Sequence, residues 1–589
     1  MTEAGGSRTD VVILGVNAFH ADSSACLVVD GELRMAVAEE RLGSRQKHSP
    51  CFPAEAVRRV LADSGVRLRD VTHVAIPRDV RANRRAKYRY ALRHPRRSMP
   101  ALFEHLRRSS RTEDMVTRLA GICGEEAAPV RFQTVAVEHH LAHIASSYYM
   151  SPFDGVTAAF SYDASGDFVS ALMARCEGTR ITPVARVALP ASLGFFYTAL
   201  CQFIGFDQFG EEYKVMGLAP YGDDAYADIM KDLLRLDPSG WFHLAPGYFG
   251  MHQGGASGEM RQDGGVHQDR MFTPLLIDRL GMPRSRSEEI TRRERDIARS
   301  TQARFEEAVI HCANRLHDLV PTPRLVTAGG CALNGVANAR LLRETKFTDM
   351  YIHPAASDDG TSVGAALHCY YNAVGGTKRF SMDHAYLGPR YCERELEKAA
   401  LDTGRPFRRL DDVALIEAAS RMLADGRVIG WYQGASEWGP RALGNRSILA
   451  NPIRPDMKDL LNVKVKRRES FRPFAPTVLE EHADRYFAQS VKSPFMMHVV
   501  DVRPEWQPRL PAVTHVDGTA RIQTLSRSSN PRYYALIEAF ARHTGVHVLL
   551  NTSFNENEPI VDTPGQALAC FERTDIDALC LGNFLLEKP

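Results

Sequence analysis

The chain has little that would send it to a membrane or out of the cell. No apolar run reaches membrane-spanning length, and the amino-terminal MTEAGGSRTD carries no apolar signal core. Its 11 cysteines form no CxxC pair and follow no regular spacing, so a reducing, cytoplasmic setting is expected. Net charge is almost absent: 73 Lys and Arg against 71 Asp and Glu leave +2. Nothing therefore pulls the whole molecule toward nucleic acid or a lipid surface, and any anion site must be local. What the chain does have is bulk. With 589 residues and 44% hydrophobic composition it exceeds a single core, and two or three domains are expected.

The local charge is concentrated in residues 437–480, EWGPRALGNRSILANPIRPDMKDLLNVKVKRRESFRPFAPTVLE, which hold Arg441, Arg446, Lys464, Lys466, Arg467, Arg468 and Arg472 among Gly and Pro. A solvated basic loop is one reading. The other is an anion cradle, because guanidinium forks bind phosphate oxygens in pairs and lysine adds a mobile point charge. Arginines set among apolar residues (GPRAL, FRPFAP) favour the cradle, since unpaired charge is costly to bury. Arg521 in RIQT and the polar run NTSFNENEPIV at 551–561, directly after VHVLL, extend the pattern. Ligands in α/β sheets sit at the carboxyl ends of buried strands.

From the amino-terminal end, VVILGV, SACLVV and ELRMAV predict three strands, with Asp30-Gly31 as a tight hairpin turn. The loop between the first two carries Asn17, His20, Asp22 and Ser23. Residues 52–63 predict an amphipathic helix and THVAIP a strand. Residues 78–111 hold a dozen Arg and Lys interleaved with Tyr88, Tyr90 and Phe103, either a nucleic-acid or acidic-ligand surface or a solvated helical insertion. After VRFQTVAV, EHHLAH opens a helix on which His139 and His143 share a face while His140 points elsewhere. Such a pair is a metal pair or a structural feature. GVTAAFSYDASGDFVSALMARCEGTRITPVARVAL then repeats the opening pattern, with Asp163 in the turn. The duplication predicts an α/β protein of the two-lobed actin, sugar-kinase and Hsp70-like kind.

Farther on, LVTAGGCALNGVANARLL predicts a strand, a Gly329-Gly330 turn and a helix, where backbone amides can meet an anion or simply connect two elements. In PAASDDGTSVG, Asp358 and Asp359 precede a helix, as ligands or as caps. His139, His143, Asp163 and Asp358 together form a two-His, two-carboxylate set that suits Fe, Mn, Co or Zn. Periodicity lapses over 372–395, which places a domain boundary at 383/384. Helix and strand alternate again through 384–589.

The blocks EWGPRALGNRSILANP, KVKRRESFRPFAP, HVDGTARIQT and NTSFNENEPIVDTP closely resemble the O-carbamoyltransferase family that includes nodulation-factor, cephalosporin and tobramycin carbamoyltransferases. Residues 1–383 also resemble TsaD-type proteins, and 384–589 resemble the YrdC fold. The resemblance implies an enzyme that makes carbamoyl-AMP from carbamoyl phosphate and Mg-ATP and transfers the carbamoyl group to an alcohol of a natural product. It implies that Arg441, Lys466, Arg472, Arg521, Asn551 and Ser553 bind the anionic substrates, with Lys466 and Arg472 catalytic. It further implies a metal, most often Fe2+, on His139, His143, Asp163 and Asp358 rather than Asp359. DQFGEEYKVMGLAPYG resembles the family's nucleotide-side loop, so Lys214 and Gly217, with Gly329, Gly330 and Asn334, are expected beside the adenylate; Lys214 can equally be a surface residue. The family shows His-Asp-x-Ser after the first strand. Here the order is His20-Ala21-Asp22-Ser23, which makes His20 the candidate base or orienting residue, with Asp22 beside it.

Carbamate anhydrides are labile in water, so the two sites are expected to meet through an enclosed passage. The expected partners are small molecules, without nucleic acid or membrane, in a monomer or homodimer. The competing readings are a tRNA threonylcarbamoylation protein, with 78–111 as the RNA contact, and a nucleotide-switched binding protein of the Hsp70 type.

Overall fold

The structure is a computed structural model that describes residues 10–20, 22–43, 45–93, 115–125, 130–250, 259–260, 266–489 and 491–588. β1 (Val12–Asn17), β2 (Ser24–Val29) and β3 (Glu32–Ala38) form an antiparallel meander. β4 (His73–Ile76) lies parallel to β1, and β5 (Gln133–Ala136) parallel to β4. β6 (Thr157–Gly166), β7 (Val169–Glu177) and β8 (Arg180–Ala188) repeat the meander. Two small hairpins follow, β9 (Leu234–Leu236) with β10 (Phe242–Leu244) and β11 (Glu259–Met260) with β12 (Val266–His267). β13 (Arg324–Ala328) is then parallel to β6, and β14 (Asp349–Ile352) parallel to β13.

The resulting orders, β3-β2-β1-β4-β5 and β14-β13-β6-β7-β8, are one topology written twice. The two-lobed α/β architecture expected from the sequence repeat is therefore present. The central strands β1 and β6 read VILGVN and TAAFSY because both faces are covered, so alternation gives way to continuous apolar burial.

Between the two sheets lie two helices that have changed sides. His139–Met150 follows β5 of the first sheet but packs on β6, β7 and β13 of the second; Thr361–His368 follows β14 of the second but packs on β1, β2 and β4 of the first. They cross closely enough that a Cβ on Gly364 would lie 1.8 Å from the Ala142 carbonyl oxygen, so only glycine fits there. The crossing sets residues from both sheets at one point.

A third, mixed sheet occupies the carboxyl-terminal part. Its strands are β15 (Phe407–Arg409), β16 (Ile429–Tyr432), β17 (Arg446–Ala450), β18 (Ala475–Leu479), β19 (His498–Asp501), β20 (Thr519–Leu525), β21 (Val548–Ser553), β22 (Ala578–Leu581) and β23 (Phe584–Glu587). Their order is β15-β23-β22-β16-β17-β21-β18-β20-β19. The core of this sheet starts at Leu396, whereas Trp438, Phe495, Met496 and Met497 pack with the core of the two lobes. Side chains stitch the halves together: Asn338 donates to the Met497 carbonyl (2.9 Å) and Arg41 to that of Gly439 (2.7 Å). Of the basic segment, residues 94–111 lie outside the described residues. Its described part, residues 78–93, ends in the helix Arg84–Arg93, where Tyr90 meets Phe168 edge-on at 5.4 Å.

Candidate active site

The crossing helices aim His139 and His143 at a common point. Their Nε2 atoms are 3.0 Å apart, and both rings are buried. Asp163 Oδ2 stands 3.0 Å from His143 Nε2, and Asp358 Oδ1 stands 3.4 Å from each histidine. Four donor atoms thus fall within 4.8 Å of one another. Asp163 does not lie in the turn, as its sequence position suggested. It is inside β6, where the register with β7 slips between Tyr162 and Gly166, and this bulge turns its carboxylate inward. The turn itself is Asp167-Phe168, both in left-handed backbone. Asp358, not Asp359, faces the histidines. Asp359 bonds the Gly360 amide, and burial, together with Asp22 and Glu40, keeps its carboxyl well above the usual range.

Burial alone would lower the His143 imidazole, but Asp163 and Asp358 outweigh it and push it up to about 9. Burial would likewise raise Asp358, yet its bonds to His139, His143 and His20 hold it well below the usual carboxylate range. Two imidazoles that meet nitrogen to nitrogen cannot both be protonated without placing like charges at 3.0 Å. A divalent cation, bound by both nitrogens and both carboxylates, satisfies all four donors at once, and it is the ligand this donor set fits.

The β1–β2 loop borders the cluster. His20 Nδ1 is 3.4 Å from Asp358 Oδ2, and its ring stacks on His139 at 5.3 Å. Asp22 turns away from His20, with its Oδ1 2.6 Å from His48 Nδ1. The Gly329-Gly330 turn does meet an anion, but one of the protein's own: the Gly330 amide donates to Asp163 Oδ2 at 3.0 Å. Asn334 is not free for a nucleotide, because it caps the helix Gly335–Glu344 and bonds Gln302. Lys214 is not on the surface. Buried, it bonds Glu211 and, at 2.7 Å, Glu469 of the basic stretch 255 residues away. Gly217 lines a cleft between the two parts of the chain, shared with Tyr221, Phe471, Phe474 and Arg521.

The cradle gathers Arg441, Arg468, Arg472 and Arg521. Burial pushes Arg441 down to about 10 and Arg468 down to about 9. Burial and the three other guanidiniums hold Arg521 well below the usual arginine range. Glu469, 3.6 Å from Arg472, is shared with Lys214, and the Nε atoms of Arg441 and Arg521 are buried without a hydrogen-bond partner among the described residues. Like-charged guanidiniums gathered in this way, two of them with an unpartnered Nε, are chemically suited to a polyanion.

Two basic residues of the stretch do not join it. Arg446 is wholly buried and donates to the carbonyls of Gln433, Gly434, Asn445, Pro389 and Asp562. Lys466 is also enclosed: Nζ reaches Ser553 O (2.6 Å), Asn555 O (2.8 Å) and Asn555 Oδ1 (2.7 Å), and burial holds its ammonium well below the usual range. Lys466 shapes the 551–561 loop from beneath instead of offering a free charge, with Ser553 Oγ bonded to Asn555. Asn551 lies within β21 and bonds Gln523, Thr477 and the Ala442 carbonyl, next to Arg441.

Comparison with known proteins decides what these two sites belong to. The family pattern described as Carbamoyltransferase N-terminus matches residues 12–367, and that described as Carbamoyltransferase C-terminus matches residues 420–588. The chain belongs to the carbamoyltransferase family. An uncharacterized protein of Synechocystis sp. is 38% identical over 98% of this chain and 96% of its own length. Nodulation protein NolNO of Sinorhizobium fredii is 38% identical over 97% and 80%, and nodulation protein NolO of Bradyrhizobium diazoefficiens 40% identical over 77% and 79%. Full-length HypF in its phosphate- and nucleotide-bound form is a remote structural neighbour, 14% identical with a TM-score of 0.30 over 62% of this chain and 47% of that one.

This carbamoyltransferase thus carries a metal-type cluster in its two-lobed part and an arginine cradle at its third sheet. Sequence reasoning passed over Glu469, whose carboxylate bridges the two parts, and over Glu40 and His48, which flank Asp22. The run EERLGSRQKH at 39–48 held the latter signal, a dense mix of acids, bases and one histidine directly after β3.

Proposed function

We propose that the carbamoyltransferase is an ATP-dependent O-carbamoyltransferase, in which residues 384–589 make carbamoyl-AMP from carbamoyl phosphate and Mg-ATP and residues 1–383 transfer the carbamoyl group to a hydroxyl of a natural product, a sugar or a macrocycle. The observation that carries this reading is the pair of complementary sites. Four guanidiniums gather at the third sheet, two of them with a buried Nε that has no hydrogen-bond partner among the described residues, and two histidines with two carboxylates gather in the two-lobed part. Adenylate formation brings a phosphate dianion and a triphosphate together, and Arg441, Arg468, Arg472 and Arg521 neutralise that charge. Asn551 stands next to Arg441 through its bond to the Ala442 carbonyl, and the Lys466-braced Ser553 loop continues from the same strand, β21. Lys214 and Gly217 lie where the adenylate passes from one part to the other.

His139, His143, Asp163 and Asp358 would hold a divalent metal, Fe2+ foremost and Mn, Co or Zn as alternatives, which when bound supplies Lewis-acid polarisation of the acyl carbonyl. The β1–β2 loop, with His20 and Asp22, receives the alcohol. A cleft walled by Tyr221, Phe471 and Phe474 limits water around a hydrolysable anhydride. A small-molecule acceptor, with no nucleic acid or membrane partner, fits a nearly neutral chain in the cytoplasm.

The test is mass analysis of products formed from carbamoyl phosphate, ATP and a panel of hydroxylated natural products. Phosphate, pyrophosphate and AMP in equal amounts, with a carbamate on one alcohol, are expected. ADP in place of AMP, or carbamoylation of tRNA, would overturn the proposal.

A further inference from the structure

A second titratable cluster lies beside the metal-type cluster and is not part of it: Asp22, Glu40 and His48 bring their donor atoms within 4.8 Å of one another. Its centre is the contact between His48 Nδ1 and Asp22 Oδ1, 2.6 Å long. The other carboxylate oxygen, Oδ2, accepts from Ser357 Oγ at 3.2 Å. Both oxygens are thus held, and the plane of the carboxylate is fixed. One side-chain amide couples this group to the metal-type site: Asn17 Nδ2 donates to the carbonyl of Asp22 (3.1 Å) and to that of Asp358 (2.9 Å). Ser357 precedes Asp358 in the chain, so Asp22 is tied twice to the segment that presents a metal ligand.

His48 is itself fixed. Its backbone amide donates to Glu40 Oε2 at 3.0 Å, and its ring meets Phe209 edge-on at 5.2 Å. A Cβ on Gly210, whose φ is +81°, would lie 2.0 Å from His48 Nε2, so the far side of the ring is covered by backbone that only glycine supplies. Asp22 and His48 both adopt left-handed backbone, φ 59° and 58°. Non-glycine residues rarely take that conformation, and it persists only where the surroundings impose it. His20, by contrast, directs Nδ1 at Asp358 and stacks on His139, so its ring belongs to the metal-type cluster.

We infer that His48 is a positioning residue for the transfer step, holding the carboxylate of Asp22 aimed to take the proton of the acceptor alcohol, in the way a third group orients a catalytic base. This rests on the carbamoyl transfer proposed above. In the step, the alcohol oxygen forms a bond to the carbonyl carbon of carbamoyl-AMP, the bond from that carbon to the phosphate oxygen breaks, and its electron pair leaves with AMP. The hydroxyl proton passes to Asp22 Oδ2. The remaining charged groups around His48 are Glu40 and Lys47, with Glu212 on the neighbouring helix. The balance of Asp22 and Glu40 over burial and Lys47 leaves the imidazole raised, to about 9.

The experiment supplies synthetic carbamoyl-AMP and methyl glucopyranoside, among other simple alcohols, to the full chain and measures the carbamate formed. His48→Ala should lose about a hundredfold in kcat for transfer, with KM for carbamoyl-AMP within about twofold and carbamoyl-AMP formation from carbamoyl phosphate and ATP unchanged. His48→Asn, which keeps an N–H toward Asp22, should recover most of that loss. The wild type should also show a low-field imidazole proton in NMR spectra that Asp22→Asn removes, a readout that needs no acceptor. Equal transfer rates in wild type and His48→Ala, no recovery by His48→Asn, or absence of the low-field proton would each overturn the inference. So would loss of a second metal equivalent in His48→Ala, which would make the cluster a cation site. A wild-type enzyme that carbamoylates no alcohol would instead refute the underlying transfer reading, and the inference with it.

Discussion

Arg521→Met separates binding from stability in a way that only the cradle explains. Arg521 sits among Arg441, Arg468 and Arg472, and burial plus those three charges disfavour its ionised form. Its Nε has no hydrogen-bond partner among the described residues. Removing it therefore takes away repulsion and no internal bond, so the ligand-free variant should melt at or above the wild-type temperature. Binding should suffer. One lost charge-assisted hydrogen bond is worth about 1.5–3 kcal/mol, roughly ten- to a hundredfold in Kd for the anionic substrate. At a concentration of about 100 times the wild-type Kd, ligand stabilises the wild type by about 2.7 kcal/mol. A variant that binds about 30-fold more weakly gains only about 0.9 kcal/mol at the same concentration. Thermal melts with and without ATP or carbamoyl phosphate, beside AMP release, read both effects. A ligand-free melt several degrees below wild type, with the ligand-induced shift intact, would refute the reasoning and make Arg521 structural.

Lys466→Met should act in the opposite sense, because Lys466 holds the 551–561 loop by bonds to Ser553 and Asn555. A drop of about 2–4 kcal/mol in denaturant-derived stability, together with lost carbamoyl-AMP formation, is expected, and a stable variant defective only in binding would show that the ammonium meets substrate after all. His143→Ala or Asp163→Asn should lose bound metal and carbamoyl transfer while pyrophosphate release continues; unchanged metal content in both would dismiss the site. Buried His353 and His498, each lowered by burial to about 4, stay neutral in the folded state while the unfolded chain takes up protons from about pH 6.5 downward. Stability should thus be full above pH 6.5 and fall toward pH 4, by up to about 3 kcal/mol for each residue. Chemical denaturation of His353→Gln/His498→Gln between pH 7 and 5 should show a slope shallower by about two protons, and an identical slope would count against both.

The strands and helices of the two lobes were legible in the sequence because their apolar periods are long and their turns carry strong signals such as Asp30-Gly31. The ligand helix was legible too, since an i, i+4 spacing fixes which side chains share a face. Three things were hidden. Asp163 reaches the histidines through a β-bulge, and no composition marks a register slip. Lys466 looks like a free cation because its acceptors come 87 to 89 residues later. His48 sat in a run that reads as a charged surface, and its partner Asp22 is 26 residues upstream across two strands. Asp163 was named with the histidines and only its place in the turn was wrong, while the partners of Lys466 and His48 lie tens of residues away; the turns and the shared histidine face were set by neighbours within a few residues.

The exchange of helices between the two sheets has a consequence for how the protein is made. A ribosome releases His139, His143 and Asp163 almost together, but Asp358 follows nearly two hundred residues later, just ahead of the helix Thr361–His368 that covers the first sheet. Until that helix emerges, β1, β2 and β4 have no cover on their inner face, and the donor set is one carboxylate short. The first lobe therefore cannot mature as an independent unit, although it is complete in strands by residue 136. Nascent chains arrested before and after residue 368 should differ sharply in protease resistance of residues 10–93. A chain stalled in between would expose apolar sheet to chaperones and proteases, so the four-residue cluster records that both lobes have been synthesised and docked.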